Sequence, residues 1–392
     1  MYRIHLVNEL SDKLTKRLAK KQFSFGSFTQ PNGIFVRSTP VPENLITKEL
    51  HVIGRSGIGV NTINIPKCTE NGTVVFNTPG VNANAVKELV LTCLLLSVRP
   101  VMAALQMVQT LPSENLLETA EQARKAYVGE ELLGKTVGLL GLGAIGDQVA
   151  KACSDLGMDV IGYARRPRNV EYFEQVQDLK KLLTVADFII ILLPLTQATE
   201  GLISEREFAQ MKRGTILLNF GRGPIVDNQA LLKALDQGQV AQYISDFPSP
   251  ELLGHEKIWL LPHIGGTTKN ALGKGDQLTL SNMREYLLFG TVRESVNFPN
   301  LSLPFTAPMR LTLYYHDRPK VLTQISKKIS DAGVEIDILS SDRKDEYVYT
   351  IIDLDEADTA KVERLAENLS EIPAMVKTRV LKNPNWAPTI YL

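Results

Sequence analysis

The stretch that most constrains this chain is residues 134–147, GKTVGLLGLGAIGD. Residues 137–140 read as a short buried strand, 141–146 as a turn, and 147–153 as the start of a helix. In a G-x-G-x-x-G turn between strand and helix, Gly141 allows the tight turn and Gly143 lets a pyrophosphate approach the backbone. Gly146 lets helix and strand pack closely, and Ala144 and Ile145 lie inside the same turn. The helix N-terminus adds unpaired N–H groups and the positive end of its dipole. Alone the glycine pattern is weak, but here its strand and helix are both present. The reading is a dinucleotide site in a doubly wound parallel sheet.

At 392 residues the chain is long enough for two or three domains. Lys+Arg and Asp+Glu both count 43, so no net field draws it to nucleic acid or to a membrane. Any anionic ligand must then be held by local arginines. Cys68, Cys93 and Cys153 have neither metal nor disulfide spacing, which fits a reducing cytosol and predicts no metal site. The opening MYRIHLVNELSDK is strand-like and soon charged, unlike a signal peptide, and the most apolar run, 89–96, is too short to span a bilayer. A cytoplasmic protein is expected.

Taken in order, 2–7, 33–37, 51–55 and 74–77 read as strands of a small parallel α/β unit. Ligands meet such strands at their C-terminal ends. Those ends carry Arg37-Ser38, Arg55-Ser56-Gly57 and the run Asn77-Thr78-Pro79-Gly80. Two arginines and a glycine-rich loop suit a carboxylate or a phosphate. On spacing alone, two solvated arginines and an ordinary turn read equally well. Residues 84–109 predict one long, mostly apolar helix crossing to the next domain, and 113–133 a polar helical region for subunit contacts.

After the glycine turn, 159–166 predicts the second strand of the dinucleotide fold. An acid at its end would take the ribose hydroxyls of NAD. Here Ala164 stands there instead, followed by Arg165, Arg166 and Arg168. Arginines without the acid suit a 2′-phosphate, so the cofactor reads as NAD or NADP with NADP slightly favoured. Further strands end at Pro194, at Phe220-Gly221-Arg222, at Asp246 and at His263-Ile264-Gly265, all on the edge where the cofactor lies. A helix over 271–289 would return to the first domain.

Hydride transfer from a hydroxy acid needs a cation for the carboxylate and the C2 oxygen, a group titrating near neutrality, and a carboxylate to tune that group. Arg222, His263 and Glu251 fit these roles. The arginine fork can hold a planar α-keto carboxylate through paired hydrogen bonds. Histidine works as acid in one direction and base in the other. A neighbouring carboxylate raises its pKa and fixes its tautomer. Arg222 also reads as a loop cation capping a helix, and on spacing Glu256 serves as well as Glu251.

Residues 297–304 read as an extended linker, rich in Asn, Ser and Pro. Beyond it, 309–315 predicts a strand, 321–332 a helix, 334–339 and 346–353 strands, 359–371 a helix and 374–381 a strand. That β-α-β-β-α-β order is ferredoxin-like.

The glycine turn, the run 219–227 (NFGRGPIVD) and the run 262–268 (PHIGGTT), in this order, resemble the D-isomer-specific 2-hydroxyacid dehydrogenases. Residues 54–63 and 74–84 share the resemblance, and the tail is similar to an ACT domain. The resemblance implies two Rossmann-like doubly wound domains and a ferredoxin-like tail. The first, a discontinuous lid, takes residues 1–85 and 270–300; the dinucleotide domain takes 86–269; the tail takes 308–385. It implies Arg222 as substrate anchor, His263 as proton donor or acceptor, Glu251 as its partner, and Asp246 as a contact to the nicotinamide amide. Arg37, Ser38, Arg55, Ser56, Gly57 and Asn82 would line the substrate pocket.

With its tail the whole chain resembles family members that oxidise 3-phosphoglycerate to 3-phosphohydroxypyruvate at the start of serine synthesis. A phosphorylated 2-hydroxy or 2-keto acid is the implied substrate, and a homodimer or homotetramer the implied assembly. An NADPH-dependent hydroxypyruvate or glyoxylate reductase is the alternative, favoured by the Ala164 end of the second strand. A cofactor-sensing regulatory protein is a third reading, against which Arg222 and His263 stand intact. Near 315–321 the tail lacks the family's Asn and Gly beside Pro319, and Glu335 stands where a ligand-binding Asn is usual, so an amino-acid effector there stays open.

Overall fold

The computed structural model describes residues 1–11, 14–16, 22–164, 167 and 170–386. Among them lie three sheets in two compact units, one built from Met1–Val81 with Gly273–Leu392, the other from Asn82–Leu272.

The first unit opens with β1 (Tyr2–Leu6), β2 (Phe23–Gly26), β3 (Gly33–Val36), β4 (Val52–Arg55) and β5 (Val74–Phe76). They form an all-parallel sheet of order β2-β1-β3-β4-β5, the flavodoxin-like arrangement of a doubly wound fold. Apolar residues fill β3 and β5 on both faces, as a covered parallel sheet requires. The edge strand β2 is not foreseen in the sequence, where its four residues carry too short a pattern.

The second unit holds β6 (Thr136–Leu140), β7 (Asp159–Tyr163), β8 (Glu174–Val176), β9 (Phe188–Ile191), β10 (Thr215–Asn219), β11 (Val240–Ser245) and β12 (Ile258–Leu260). Their order is β12-β11-β10-β9-β6-β7-β8, all parallel, the dinucleotide-binding order with one strand added. Order reverses between β6 and β9, which fixes where a ligand crevice must lie.

The long helix expected over 84–109 is two helices, Ala83–Val98 and Val101–Gln109, bent by 69°. Pro100 removes a backbone donor and drives Arg99 to φ −118°, ψ 118°, out of helical geometry. Among the described residues no single helix is long and apolar enough to cross a membrane. The expected helical region 113–133 keeps a short helix, Leu116–Ala123, and a 3₁₀ turn, Arg124–Tyr127; the rest is irregular.

The tail carries β13 (Met309–His316), β14 (Ile336–Lys344), β15 (Tyr347–Leu354) and β16 (Met375–Lys382) with the helices Val321–Asp331 and Thr359–Ser370. The antiparallel order β14-β15-β13-β16 is the ferredoxin-like one. One face packs Leu311, Leu313 and Ile352 against Ile325, Ile329, Val362 and Leu365 of the helices. The other face is not free. Tyr314, Tyr349 and Ile351 join Tyr286, Phe298 and Phe76 in the core of the first unit.

This corrects the linker expected over 297–304. Phe298 stacks on Tyr314 with ring centroids 3.7 Å apart, and Asn297 accepts from Val75 N at 2.9 Å while its Nδ2 donates to Thr73 O at 2.9 Å. The segment is a seam between β5 and the tail. Arg310, wholly buried, closes the seam: Nε and Nη2 donate to Asp353 at 2.5 and 2.8 Å. Its remaining N–H groups reach the carbonyls of Phe289, Leu303 and Pro304 at 2.6, 3.1 and 2.9 Å, so all five donors are used.

Candidate functional site

In the second unit, Gly141 follows β6 with φ 106°, a conformation that favours glycine, and donates to Tyr163 O at 3.1 Å. A Cβ on Gly146 would overlap Gly141 O, so only glycine lets the helix Ala144–Asp155 start this close to the strand. Gly143 caps that helix without a side-chain bond, and a Cβ built on it meets nothing within 4 Å. The first N–H groups of Ala144 and Ile145 therefore face open space with the positive end of the helix. These residues fit a pyrophosphate.

Ala164 follows β7, and its carbonyl accepts from Gln175 Nε2 at 2.9 Å. Arg165, Arg166 and Arg168, the residues that favour NADP in the sequence, lie outside the described residues. Pro194 O accepts from Thr199 Oγ1 at 2.6 Å, fixing the loop after β9. Phe220 is buried, and a Cβ on Gly221 would come within 2.5 Å of Leu193 O.

Arg222 leaves the end of β10 in an extended conformation, with Nη1 donating to Gly221 O at 2.7 Å. Asn219, fully buried, braces this turn. Its Nδ2 donates to Arg222 O at 3.0 Å and its Oδ1 accepts from Gly221 N at 3.1 Å. His263 sits in the loop after β12 at φ 58°, rare for a residue with a side chain. Asp246, only 3% exposed, holds the loop there: Oδ1 accepts from Ile264 N at 2.8 Å and Oδ2 from Gly265 N at 2.7 Å.

Between Arg222 and His263 stands a residue that the sequence alone does not single out. The Phe247 ring lies 4.8 Å from the His263 ring and 5.6 Å from the Arg222 guanidinium carbon. Its position directly after Asp246 is the signal that could have found it. Glu251 is turned elsewhere: Oε2 accepts from Asn228 Nδ2 at 2.6 Å and lies 3.3 Å from Ser249 Oγ, and no hydrogen bond joins it to His263 among the described residues. Asn82 caps the helix Ala83–Val98, beside Gly266, where a Cβ would come 2.8 Å from Asn82 Nδ2.

The remaining residues belong to the first unit. Arg37 follows β3, and its guanidinium is taken bidentately by Asp276, at 3.1 Å (Nε–Oδ1) and 2.5 Å (Nη2–Oδ2). Arg55 Nε donates to Arg37 O at 2.9 Å. Ser56 N–H pairs with Val36 O at 2.9 Å, and Gly57 exchanges hydrogen bonds with Thr78 at 2.8 and 3.0 Å. Ser38 is exposed beside Arg37. Among the described residues no cluster of His, Cys, Asp and Glu could hold a metal ion.

Residues 91–265 match the family description "D-isomer specific 2-hydroxyacid dehydrogenase, NAD binding domain". The chain is 31% identical over 359 residues to D-3-phosphoglycerate dehydrogenase of Escherichia coli, covering 88% of this chain and 85% of that one. It belongs to the D-isomer-specific 2-hydroxyacid dehydrogenase family. Another family member, D-3-phosphoglycerate dehydrogenase of Methanocaldococcus jannaschii, is 34% identical over 281 residues, 68% of this chain and 52% of that one. The chain thus spans about half the length of this archaeal relative and, at 52%, of the one from Archaeoglobus fulgidus. The solved D-2-hydroxyisocaproate dehydrogenase shares the family fold with a TM-score of 0.64 at 23% identity, over 76% of this chain and all of that one.

Proposed function

We propose that this chain interconverts 3-phosphoglycerate and 3-phosphohydroxypyruvate with a nicotinamide cofactor, as a D-3-phosphoglycerate dehydrogenase at the start of serine synthesis. The observation that carries the reading is the extent of the match to the Escherichia coli relative, 359 residues, which takes in 88% of this chain.

When bound, the nicotinamide supplies the hydride acceptor for C2 in one direction and the donor in the other. Arg222 holds the substrate carboxylate and polarises the C2 oxygen with its fork. His263 takes the hydroxyl proton during oxidation and returns it during reduction. Asp246 fixes His263 through the backbone of Ile264 and Gly265, and its remaining lone pairs suit the nicotinamide amide. The family resemblance assigns Glu251 as the carboxylate partner of His263, while its described bonds go to Asn228 and Ser249. Gly141, Gly143, Ala144, Ile145 and Gly146 receive the pyrophosphate; Ala164, just after β7, goes to the adenosine ribose, to which Arg165 is assigned on the sequence alone; Pro194, Phe220, Gly221 and Gly265 complete the cofactor wall. Arg37, Ser38, Arg55, Ser56, Gly57 and Asn82 are the further residues that the family resemblance assigns to the substrate.

Two partners go with this reading. Helix Val101–Gln109 and the segment after it expose Met102, Leu105, Val108 and Leu117, apolar surface suited to pairing two copies in a dimer or tetramer. In the tail a groove of about 390 Å³ carries both signs of charge, from Asp317, Arg318, Lys320, Asp342 and Arg343, which suits a zwitterionic amino acid. Lys320 there adopts φ 68° without the usual glycine.

A second reading, an NADPH-dependent hydroxypyruvate or glyoxylate reductase, is favoured by Ala164 and by the neutralised Arg37. Oxidation of NADH and of NADPH, measured separately with 3-phosphohydroxypyruvate, hydroxypyruvate and glyoxylate, decides between them. Preference for the phosphorylated acid supports the first reading. Preference for either unphosphorylated acid replaces it with the second, and the better cofactor answers NAD against NADP.

A further inference from the structure

Asp276 is a buried carboxylate of the first unit for which the roles above have no use. It lies on the helix Lys269–Phe289, and its side chain is 5% exposed against 29% for Arg37, whose fork it occupies. Gly275 makes this possible. A Cβ there would come within 2.6 Å of Ser56 Oγ, so the bare glycine lets the helix close on the Ser56 loop and bring Asp276 to the end of β3.

Two consequences follow for the group that meets this strand end. The cluster of Arg37, Arg55 and Asp276 carries one net positive charge rather than two. Asp276 occupies Nε and Nη2 of Arg37, leaving Nη1 without a hydrogen-bond partner among the described residues. Arg37 is thus presented as an oriented donor inside a neutral pair, not as a free cation.

We propose that Asp276 is a specificity-determining residue that holds down the preference of this strand end for a doubly charged phosphate over an uncharged hydroxyl. The inference rests on the substrate site proposed above. Magnitudes decide its direction. At an effective dielectric of about 20, a unit charge anywhere within about 10 Å of a phosphate changes affinity by more than about tenfold per unit of phosphate charge. Loosening one arginine head costs only about two- to tenfold. Removing the carboxylate therefore strengthens phosphate binding even though Arg37 loses its brace.

The test uses the full chain with Asp276→Asn, and Asp276→Ser should the first fail to fold. Calorimetric titration with inorganic phosphate is expected to show binding at least about tenfold tighter in the variant. The ratio of kcat/KM for 3-phosphohydroxypyruvate over hydroxypyruvate, taken on one sample, is expected to rise alongside it. Phosphate affinity that stays the same or weakens overturns the proposal. A lowered melting temperature with unchanged phosphate affinity also overturns it and leaves the pair as a bolt between strand and helix. A wild-type chain that ignores 3-phosphohydroxypyruvate refutes the proposed function instead, while the phosphate titration still decides the role of Asp276.

Discussion

Asp246 accepts the backbone N–H of Gly265 at 2.7 Å, on the loop that holds His263 in a left-handed conformation. Its other oxygen takes Ile264 N, so one buried carboxylate fixes two consecutive peptides beside the proposed acid. Left-handed backbone is costly for a residue with a side chain, by about 1 kcal/mol or more, and persists only where its surroundings impose it.

Asp246→Asn therefore tests the latch. An amide cannot accept on both atoms, so one loop N–H loses its partner at a cost of about 1–3 kcal/mol. Turnover is expected to fall about tenfold to a hundredfold from misplacement of the acid, with a lower melting temperature. Thermal melting and steady-state kinetics on one preparation check both. Full turnover would remove the latch from the reaction.

His263→Ala and Glu251→Gln separate acid from partner. Loss of the imidazole is expected to lower turnover by about two to four orders of magnitude, with cofactor affinity little changed. Glu251→Gln, which keeps the shape of the side chain and removes its charge, is expected to cost about tenfold in turnover. Unchanged turnover would leave Glu251 only its observed bonds to Asn228 and Ser249.

Much of this was legible in the sequence because local chemistry enforced it. The turn at Gly141, Gly143 and Gly146 needs glycine for reasons that its own backbone contains, and the structure builds it as read. Strands buried on both faces, such as β9 with Phe188-Ile189-Ile190-Ile191, announce themselves as apolar runs. What stayed hidden depends on residues remote in sequence. Arg37 and Asp276 are 239 positions apart, and Arg310 and Asp353 are 43 apart. Nothing in either neighbourhood names the partner. The break at Pro100 is legible in the proline itself, although apolar periodicity runs on both sides of it.

The Arg310–Asp353 pair tests how firmly the tail is joined to the first unit. Asp353→Asn leaves a fully buried guanidinium short of its counter-charge, which costs about 3–5 kcal/mol where one partner of a buried pair is removed. Denaturant unfolding is expected to show an earlier transition, and limited proteolysis faster cleavage between residues 299 and 308. A variant as stable as the parent would mean that the three carbonyl bonds of Arg310 suffice.

Lys377 gives the same join a pH dependence. On β16 its Nζ donates to Leu50 O at 2.6 Å, amid Glu49, His51, Cys68 and Arg379. Burial, then repulsion from Arg379, lowers its pKa from 10.5 to about 7, despite the opposing pull of Glu49. The unfolded chain keeps that proton up to its ordinary value, so between the two values it binds the extra proton. The stability tied to Lys377 is then complete above about pH 10.5, declines as pH falls, and is lost by about pH 7. Burial, with Arg379 and Lys377, likewise lowers His51 from 6.5 to about 2, so its share is complete above 6.5 and drains away as pH falls towards 2. Lys377→Met removes the first effect and leaves the parts of the second that come from burial and Arg379. In denaturant unfolding, the stability of the parent minus that of the variant is expected to climb between about pH 7.5 and 9.5, by at most about 1.4 kcal/mol per pH unit. A difference that stays flat across that interval would mean that Lys377 keeps its proton in the folded chain, and that the join between tail and first unit tolerates a buried ammonium.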